Sequence, residues 1–135
     1  MPSIYLFDTN AVSDAMIDHP KVLARMAAQL GRLVTSVIVR GEIQYGLERL
    51  PAGRRRNALT LKAITVLAGL PAAQVTEPVA DIYAVIRQAT ESQGMALDDN
   101  DLWIAATALN LGVIVVTRDT DFAQVPGLQV EDWTQ

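Results

Sequence analysis

The sequence predicts an α/β fold in which helices cover both faces of a short parallel sheet. Short apolar runs rich in β-branched residues alternate with longer segments that have helical periodicity. Hydrophobic residues make up 50% of the composition but aromatic residues only 5%, which suits helices packed on a buried sheet. Strands separated by helices pair in parallel through right-handed crossovers, and the result is a three-layer helix–sheet–helix sandwich. A length of 135 residues fits one such domain, spanning residues 1–135.

The first part of the chain is predicted to contain two strands and two short helices. Residues 4–7 form a buried strand, because all four are apolar and Ile, Tyr and Phe favour strands. Pro20 interrupts the helical pattern that follows and divides it into helices over residues 11–18 and 21–30. A second strand is predicted over residues 33–36. The two strands are therefore joined by a helical crossover.

The rest of the chain is predicted to be mainly helical. Its helices span residues 39–50, 54–70, 79–93 and 99–111. Gly112 caps the last helix and leads into residues 113–117, which are β-branched throughout and form the clearest strand of the sequence. An edge strand is predicted over residues 128–131. The order of elements is thus the one expected for a parallel sheet with helical crossovers.

Composition excludes several classes of site. There is no cysteine, which rules out disulfides and thiolate zinc sites, and His19 is the one histidine, which rules out catalysis by paired imidazoles. Glycine-rich Walker and Rossmann motifs are absent. No apolar run approaches membrane-spanning length and no signal-like segment opens the chain, so we expect a cytoplasmic protein without membrane association. The net charge of -4 argues against unspecific coating of nucleic acid but is compatible with a nuclease that has acidic metal ligands.

Four acidic residues occupy positions that local structure does not require. Asp8 follows the first predicted strand and Asp119 follows the strand over residues 113–117. Because the carboxyl ends of parallel strands meet at one edge of a sheet, we expect these two residues to lie close together. Glu42 lies at or beside the apolar face of its helix, where a lone carboxylate is costly without a partner or a metal. Asp101 is not needed to cap its helix, since the three residues before it already offer capping oxygens.

Each of these acids also has a structural explanation when it is taken alone. Asp8 can cap the following helix, Asp101 can interact with the positive end of its helix dipole, and Asp119 can be a turn residue. Together, however, four converging carboxylates repel one another unless a cation neutralises them. Mg²⁺ and Mn²⁺ both accept such ligands, and either ion can activate water for attack on a phosphodiester. We therefore predict a divalent-cation site whose ligands are also the catalytic residues: Asp8, Glu42, Asp101 and Asp119.

These acids lie within four ordered sequence motifs. The motifs are Leu6-Phe7-Asp8-Thr9-Asn10, Arg40-Gly41-Glu42-Ile43 followed by Tyr45-Gly46, Asn100-Asp101-Leu102-Trp103-Ile104-Ala105-Ala106, and Val116-Thr117-Arg118-Asp119 followed by Asp121-Phe122. They resemble the four motifs of PIN-domain proteins, and they are most similar to those of the VapC-type toxins of bacterial and archaeal type II toxin–antitoxin systems. Gly41 departs slightly from the family pattern, in which alanine is more usual. Within the acidic run at residues 98–101, Asp101 directly precedes the apolar part of its motif, as the family's acid does.

The resemblance implies a PIN-like fold and a Mg²⁺- or Mn²⁺-dependent endoribonuclease that acts as a toxin. It implies an acidic quartet of Asp8, Glu42, Asp101 and Asp119. RNA would be the substrate, and a co-expressed antitoxin would inhibit the enzyme. One alternative is a nonenzymatic PIN-like module whose acids only bind a partner. Another is a phosphatase with Asp8 as nucleophile, but Asn10 stands where such enzymes need a second acid.

The helical hairpin formed by residues 39–50 and 54–70 is predicted to contact partners. Its second helix carries more apolar side chains than one sheet face needs, namely Leu59, Ile64, Leu67 and Leu70. We expect a homodimer, and near this hairpin a groove that accepts an apolar antitoxin segment. The three arginines at residues 54–56 have two interpretations, as a solvated face, which is the usual one, and as a contact for an anion such as RNA phosphate or an acidic partner, because they oppose the dipole of their helix. Trp103 has two interpretations, as a platform for a base and as part of the core or of a dimer interface.

Overall fold

The computed structural model describes residues 2–95 and 97–135, and at its centre lies a parallel sheet. Five strands within these residues pair in the order β3-β2-β1-β4-β5, and each pairing is parallel. The strands are β1 Tyr5–Phe7, β2 Leu33–Ser36, β3 Ala72–Ala73, β4 Ile114–Val116 and β5 Val130–Glu131. Because β1 is the central strand, its carboxyl end is flanked by the ends of β2 and β4. This arrangement places Asp8 at the middle of the carboxyl edge.

Helices connect the strands in the way that the sequence predicts. They are α1 Thr9–Met16, α2 Pro20–Ala28, α3 Val37–Glu48, α4 Arg54–Ala68, α5 Glu77–Ser92 and α6 Asp99–Leu111, and a short 3₁₀ helix spans Thr120–Gln124. The predicted α/β class with helices on a parallel sheet is therefore confirmed. None of the helices in the described residues is long and apolar enough to cross a membrane.

Side chains at the strand ends start two of the helices, and both helices begin two residues earlier than predicted. The Asp8 carboxylate accepts a hydrogen bond from the backbone N–H of Ala11 at 2.8 Å, so α1 begins directly after β1. The Ser36 hydroxyl accepts one from the N–H of Val39 at 3.2 Å, so α3 begins directly after β2. The carboxyl edge of the sheet is thus also the row where these helices start.

Two elements are not predicted by the sequence. The strand β3 consists of two alanines, which have little strand propensity of their own, and it exists because it pairs with the end of β2. The 3₁₀ helix follows Asp119, whose carboxylate accepts a hydrogen bond from the N–H of Asp121 at 2.9 Å. Both elements depend on contacts that a periodic hydrophobic pattern does not reveal.

The core lies around the central strand. Leu6 and Phe7 of β1 and Val115 of β4 are fully buried. Trp133 packs edge-on against the Phe7 ring, with their centroids 5.3 Å apart, and is also buried. The end of the chain therefore covers the strand that leads into Asp8, and it supports the position of that residue.

The α3–α4 hairpin exposes less apolar surface than expected. Leu67 and Leu70 lie in the core, with only 7% and 2% of their surface exposed, so the prediction that they add free apolar surface is wrong. Leu67 packs inward because it shares one face of α4 with buried Ala63, and Leu70 is buried just after the helix ends. Ile64 is 60% exposed and Leu59 is half-buried, as the prediction requires.

Candidate acidic site at the carboxyl edge

Asp8 is the most deeply buried of the four predicted site residues, with 3% of its surface exposed. Burial disfavours the charged carboxylate and raises its pKa to about 6, although hydrogen bonds from Thr117 and Ala11 oppose the shift. The negative charge of Asp119 raises the pKa further. Asp8 thus caps α1, as its structural explanation proposed, but its burial makes the charged form of the carboxyl unfavourable.

Glu42 is tied to the segment that follows Asp8. Its carboxylate accepts a hydrogen bond from the Thr9 hydroxyl at 2.6 Å, across 33 residues of sequence. The side chain is half-buried, which agrees with its predicted position beside the apolar face of α3. This bond joins the start of α1 to the middle of α3, so it brings two of the four motifs together.

Asp101 lies in the first turn of α6 but does not cap it. The cap is Asp98, whose carboxylate accepts a hydrogen bond from the Asp101 N–H at 2.8 Å. The pKa of the Asp101 carboxyl is raised to about 7, and burial is the largest cause. The other causes are the negative charges of Asp98, Asp119, Glu42 and Asp8. The negative charges of the other three predicted site residues therefore act on the Asp101 carboxyl.

Asp119 has an ordinary structural role in its loop. Besides capping the 3₁₀ helix, it donates its backbone N–H to the Thr117 hydroxyl at 2.9 Å. Its charge nevertheless raises the pKa of both Asp8 and Asp101. As expected from the parallel sheet, the segments that follow β1 and β4 are neighbours.

The four carboxylates are electrostatic neighbours, but they do not form a ligand cluster as they stand. Within residues 2–95 and 97–135, no group of three or more His, Cys, Asp or Glu side chains is arranged to hold a metal ion. Three of the carboxylates instead accept hydrogen bonds from nearby groups, which are the Ala11 N–H, the Thr9 hydroxyl and the Asp121 N–H. The chemistry of the donors still fits a hard divalent cation, because oxygen ligands that raise one another's pKa lose that repulsion when a cation binds.

Comparison with known proteins decides the family. A sequence profile of the PIN domain matches residues 5–128. The chain belongs to the PIN-domain family. It is also 31% identical over 139 aligned positions to "Ribonuclease VapC1" from Haemophilus influenzae (strain R2866), and the alignment covers 98% of this chain and 99% of that relative. The resemblance to VapC-type proteins seen in the motifs is therefore confirmed.

Solved structures support the same assignment of this PIN domain. The crystal structure of "DNA bound VapBC from Salmonella typhimurium" matches with a TM-score of 0.87 and 25% identity, over 98% of this chain and 99% of that one. A member of "the VapBC family of toxin-antitoxin systems, VapBC-5, from Mycobacterium tuberculosis" matches with a TM-score of 0.74 and 28% identity, over 96% and 97% of the two chains. The similarity extends over the whole fold and is not confined to the motifs.

Two grooves of the PIN domain flank α3 and share Thr9, Glu42 and Gly46. The first, which we call the apolar groove, lies between α1, α3 and α4 and has a volume of about 320 Å³. Its other lining residues are Ser13, Met16, Ile17, Ile43, Leu47, Leu50 and Leu59. The second, which we call the Tyr45 groove, has a volume of about 580 Å³ and is lined also by Val37, Ile38, Gly41, Tyr45, Arg49 and Asn100. Glu42 therefore faces both grooves.

An ion pair behind the site is not predicted from the sequence. Asp14 of α1 is buried, and its carboxylate lies 3.1 Å from the Arg118 guanidinium. This pair joins α1 to the loop that carries Asp119. A buried acid on a helix signals that a cationic partner exists, but a partner 104 residues away cannot be identified from spacing.

Contacts within the domain bear on two further sequence interpretations. The Trp103 ring stacks on Tyr83 with centroids 3.7 Å apart, so one of its faces is used internally. Of the three arginines that open α4, Arg56 forms an ion pair with Glu48 at 3.0 Å. Within the described residues, Arg54 and Arg55 form no ion pair and keep their charge available.

Proposed function

We propose that this PIN-domain protein is a metal-dependent endoribonuclease that acts as the toxin of a toxin–antitoxin pair. The observation that carries the proposal is the proximity of the four acids. Asp8 and Asp119 follow the adjacent strands β1 and β4, and the Thr9 hydroxyl next to Asp8 donates to Glu42. The charges of Asp8, Glu42 and Asp119 all raise the pKa of Asp101. Acids that repel one another at the carboxyl edge of a sheet suit the binding of a cation and of a phosphodiester. The Haemophilus relative is named a ribonuclease, which supports RNA as the substrate. The Mycobacterium neighbour belongs to a toxin–antitoxin system, which supports the toxin role.

Asp8, Glu42, Asp101 and Asp119 would hold Mg²⁺ or Mn²⁺. When bound, such an ion lowers the pKa of water and neutralises charge that develops on a phosphate. The protein's own part is to fix the acids in place. The Ala11 N–H holds Asp8 and the Thr9 hydroxyl holds Glu42. Burial and the neighbouring negative charges raise the pKa of Asp101 to about 7, and a bound cation would relieve that repulsion.

The decisive experiment is a cleavage assay on total cellular RNA. We expect cleavage with Mg²⁺ or Mn²⁺, loss of cleavage in excess EDTA, and recovery when the cation is added back. Cleavage that persists in EDTA would contradict the metal dependence. If the folded protein cuts no RNA with either cation, while it still binds an antitoxin, the nonenzymatic partner-binding module is the correct interpretation.

We also propose that the apolar groove receives an apolar segment of the antitoxin. Its lining is mostly aliphatic, and it ends at Glu42, where a basic side chain of the antitoxin would supply the positive charge that a cation otherwise supplies. A homodimer is part of the same proposal, because Ile64, Val85 and other large apolar side chains remain exposed. Light scattering over a range of concentrations tests the dimer, and a protein that stays monomeric at high concentration would contradict it.

A further inference from the structure

The Tyr45 groove combines an exposed aromatic ring with a cation that has no acidic partner. Tyr45 is 63% exposed, and the Arg49 guanidinium lies 5.6 Å from the centre of its ring. Arg49 forms no ion pair with any described residue. Tyr45 lies in α3, the helix that carries Glu42, and Arg49 is the residue that caps its carboxyl end. This pair is therefore poised to interact with something outside the chain.

A second tyrosine–arginine pair has the same spacing, but both of its side chains have partners within the protein. Tyr83 and Arg87 of α5 are also four residues apart, with the guanidinium 5.9 Å from the ring. Tyr83, however, stacks on a neighbouring ring and donates its hydroxyl to Asp99 at 2.7 Å. Arg87 is paired with Glu91 at 2.9 Å. The contrast indicates that the open pair on α3 is not explained by folding alone.

Positive charge is concentrated beyond Arg49, although the protein as a whole is acidic. Five of its 11 cationic side chains are neutralised in ion pairs within the described residues. Arg49, Arg54 and Arg55, which form no such pairs, lie together at the turn between α3 and α4. A polyanion is attracted to this turn and repelled by Glu42, which lines the same groove. The groove is therefore acidic at Glu42 and cationic at Arg49.

The dimensions of the groove suit a single strand of RNA. Glu42 and Arg49 are seven residues apart, about two helical turns or roughly 10 Å along α3. Tyr45 lies between them in sequence, and Asn100 at the start of α6 also lines the groove. The volume of about 580 Å³ falls within the usual range for ligand pockets, about 300–1,000 Å³. At Gly41 and Gly46 an added Cβ would meet nothing within 4 Å, so the helix surface there is open to a close-approaching backbone.

We propose that the Tyr45 groove binds the RNA strand next to the cleaved bond, with a base stacked on Tyr45 and a phosphate paired with Arg49. The inference rests on the proposed ribonuclease function and identifies positioning residues for it. Stacking on an aromatic ring tolerates any base, because every base has a π-face. The planar guanidinium matches the geometry of a phosphate and holds it away from the acids. The apolar groove on the other side of α3 stays available to a protein segment.

The test measures RNA binding in an Asp8→Asn background, so that the RNA stays intact. The probe is a fluorescein-labelled, single-stranded RNA oligonucleotide of mixed sequence, and fluorescence anisotropy is followed in Mg²⁺ over a range of salt concentrations. Tyr45→Leu and Arg49→Gln remove the ring and the charge. Tyr45→Phe and Arg49→Lys keep them. Lys21→Gln, at an exposed position of α2, is the control for loss of one positive charge.

We expect Arg49→Gln to weaken RNA binding about tenfold and to reduce the slope of log Kd against log salt by about 0.7, the value for one phosphate contact on a single strand. Tyr45→Leu should weaken binding at least about fivefold and leave the slope unchanged. Tyr45→Phe and Lys21→Gln should bind as the Asp8→Asn parent does. Arg49→Lys should retain the slope, because it keeps the charge.

Two results would overturn the inference. In the first, Tyr45→Leu and Arg49→Gln bind the RNA with the parent's affinity and slope, while the wild-type protein still cleaves RNA; the proposed function then stands without this binding site. In the second, the two variants lose affinity for the antitoxin, or change oligomeric state, but keep their RNA affinity; the groove then belongs to a protein partner. A parent that binds no RNA, together with a wild-type protein that cleaves none, would refute the ribonuclease proposal as well.

Discussion

The two sides of α3 differ in chemistry although they are built from neighbouring residues. One side contributes Ile43, Leu47 and Leu50 to the apolar groove. The other contributes Tyr45 and Arg49 to the Tyr45 groove. Helical periodicity makes this possible, because residues one or two positions apart point in very different directions. A single helix can therefore present an apolar surface to a protein segment and a stacking, cationic surface to RNA.

Glu42 links the two grooves to the predicted acidic site, since it lines both of them. A segment bound in the apolar groove can reach the acids without filling the groove proposed for RNA. Inhibition would then act through Glu42 and not only by blocking the substrate. Substitutions of the site acids, of one groove or of Gly46 test this division of roles.

The largest expected effect comes from the predicted site acids. Asp8→Asn should reduce RNA cleavage at least about 100-fold, because a neutral amide does not replace a carboxylate ligand. Antitoxin binding should be retained, since Asp8 lines neither groove. RNA gel assays and calorimetric titration with the antitoxin measure the two effects. Asp81→Asn, an exposed acid on α5, is the matched control, and equal cleavage by Asp8→Asn and wild type would remove Asp8 from the catalytic set.

The second effect is a dependence of stability on pH. The pKa of Asp8 is about 6 in the folded protein and 3.8 as a reference, so between these values the folded state binds more protons than the unfolded state. Stability of the metal-free protein should therefore fall as pH rises, by up to ~3 kcal/mol for Asp8. Asp101, with a pKa of about 7, extends the fall to neutral pH.

Thermal unfolding at about pH 5 and about pH 8 in EDTA checks this expectation. Mg²⁺ should raise the melting temperature more at the higher pH, because the acids are then charged and a proton no longer competes with the cation. Asp8→Asn should flatten the pH profile. If the stability of the metal-free protein instead rises with pH over this range, the raised pKa values of Asp8 and Asp101 are contradicted.

The third effect separates the grooves. Leu59→Ser should weaken antitoxin binding about tenfold or more through the loss of apolar contact, and it should leave RNA cleavage unchanged in the absence of antitoxin. Leu61→Ser on the same helix is the matched control, because Leu61 is exposed and lies outside the apolar groove. Leu67 is unsuitable for this test, since it is buried. A folded Leu59→Ser variant that the antitoxin still inhibits fully would refute the assignment of the groove.

The smallest effect concerns Gly46, which lines both grooves. Gly46→Ala should raise the free energy of unfolding by up to about 1 kcal/mol, because alanine favours a helix interior and the added methyl meets no atom within 4 Å. The same methyl narrows both grooves, so affinity for RNA and for the antitoxin should both fall slightly. Urea unfolding and the two binding assays measure these changes. A loss in one assay alone would show that Gly46 serves a single groove.

Much of the site follows from the ends of predicted elements. The strand over residues 4–7 ends at Asp8, and the strand over residues 113–117 leads to Asp119, so parallel pairing predicts their proximity. The bond between Thr9 and Glu42 is not predictable in this way, since it depends on how α3 packs against α1. The ligand role of the four acids stays a prediction, and three of them accept hydrogen bonds from the Ala11 N–H, the Thr9 hydroxyl and the Asp121 N–H.

Much of the local structure of this protein follows from the spacing of residues along its chain. The spacing of hydrophobic residues indicates a helix or a strand. The side chains of Asp8, Ser36 and Asp98 start helices by accepting a hydrogen bond from the backbone N–H three residues ahead. Only the tertiary structure decides the pairing of β3, the ion pair of Asp14 with Arg118, and the raised pKa of Asp101. Local bonds are fixed by spacing along the chain. Burial and long-range charge depend on distances that exist only after the helices have packed on the sheet.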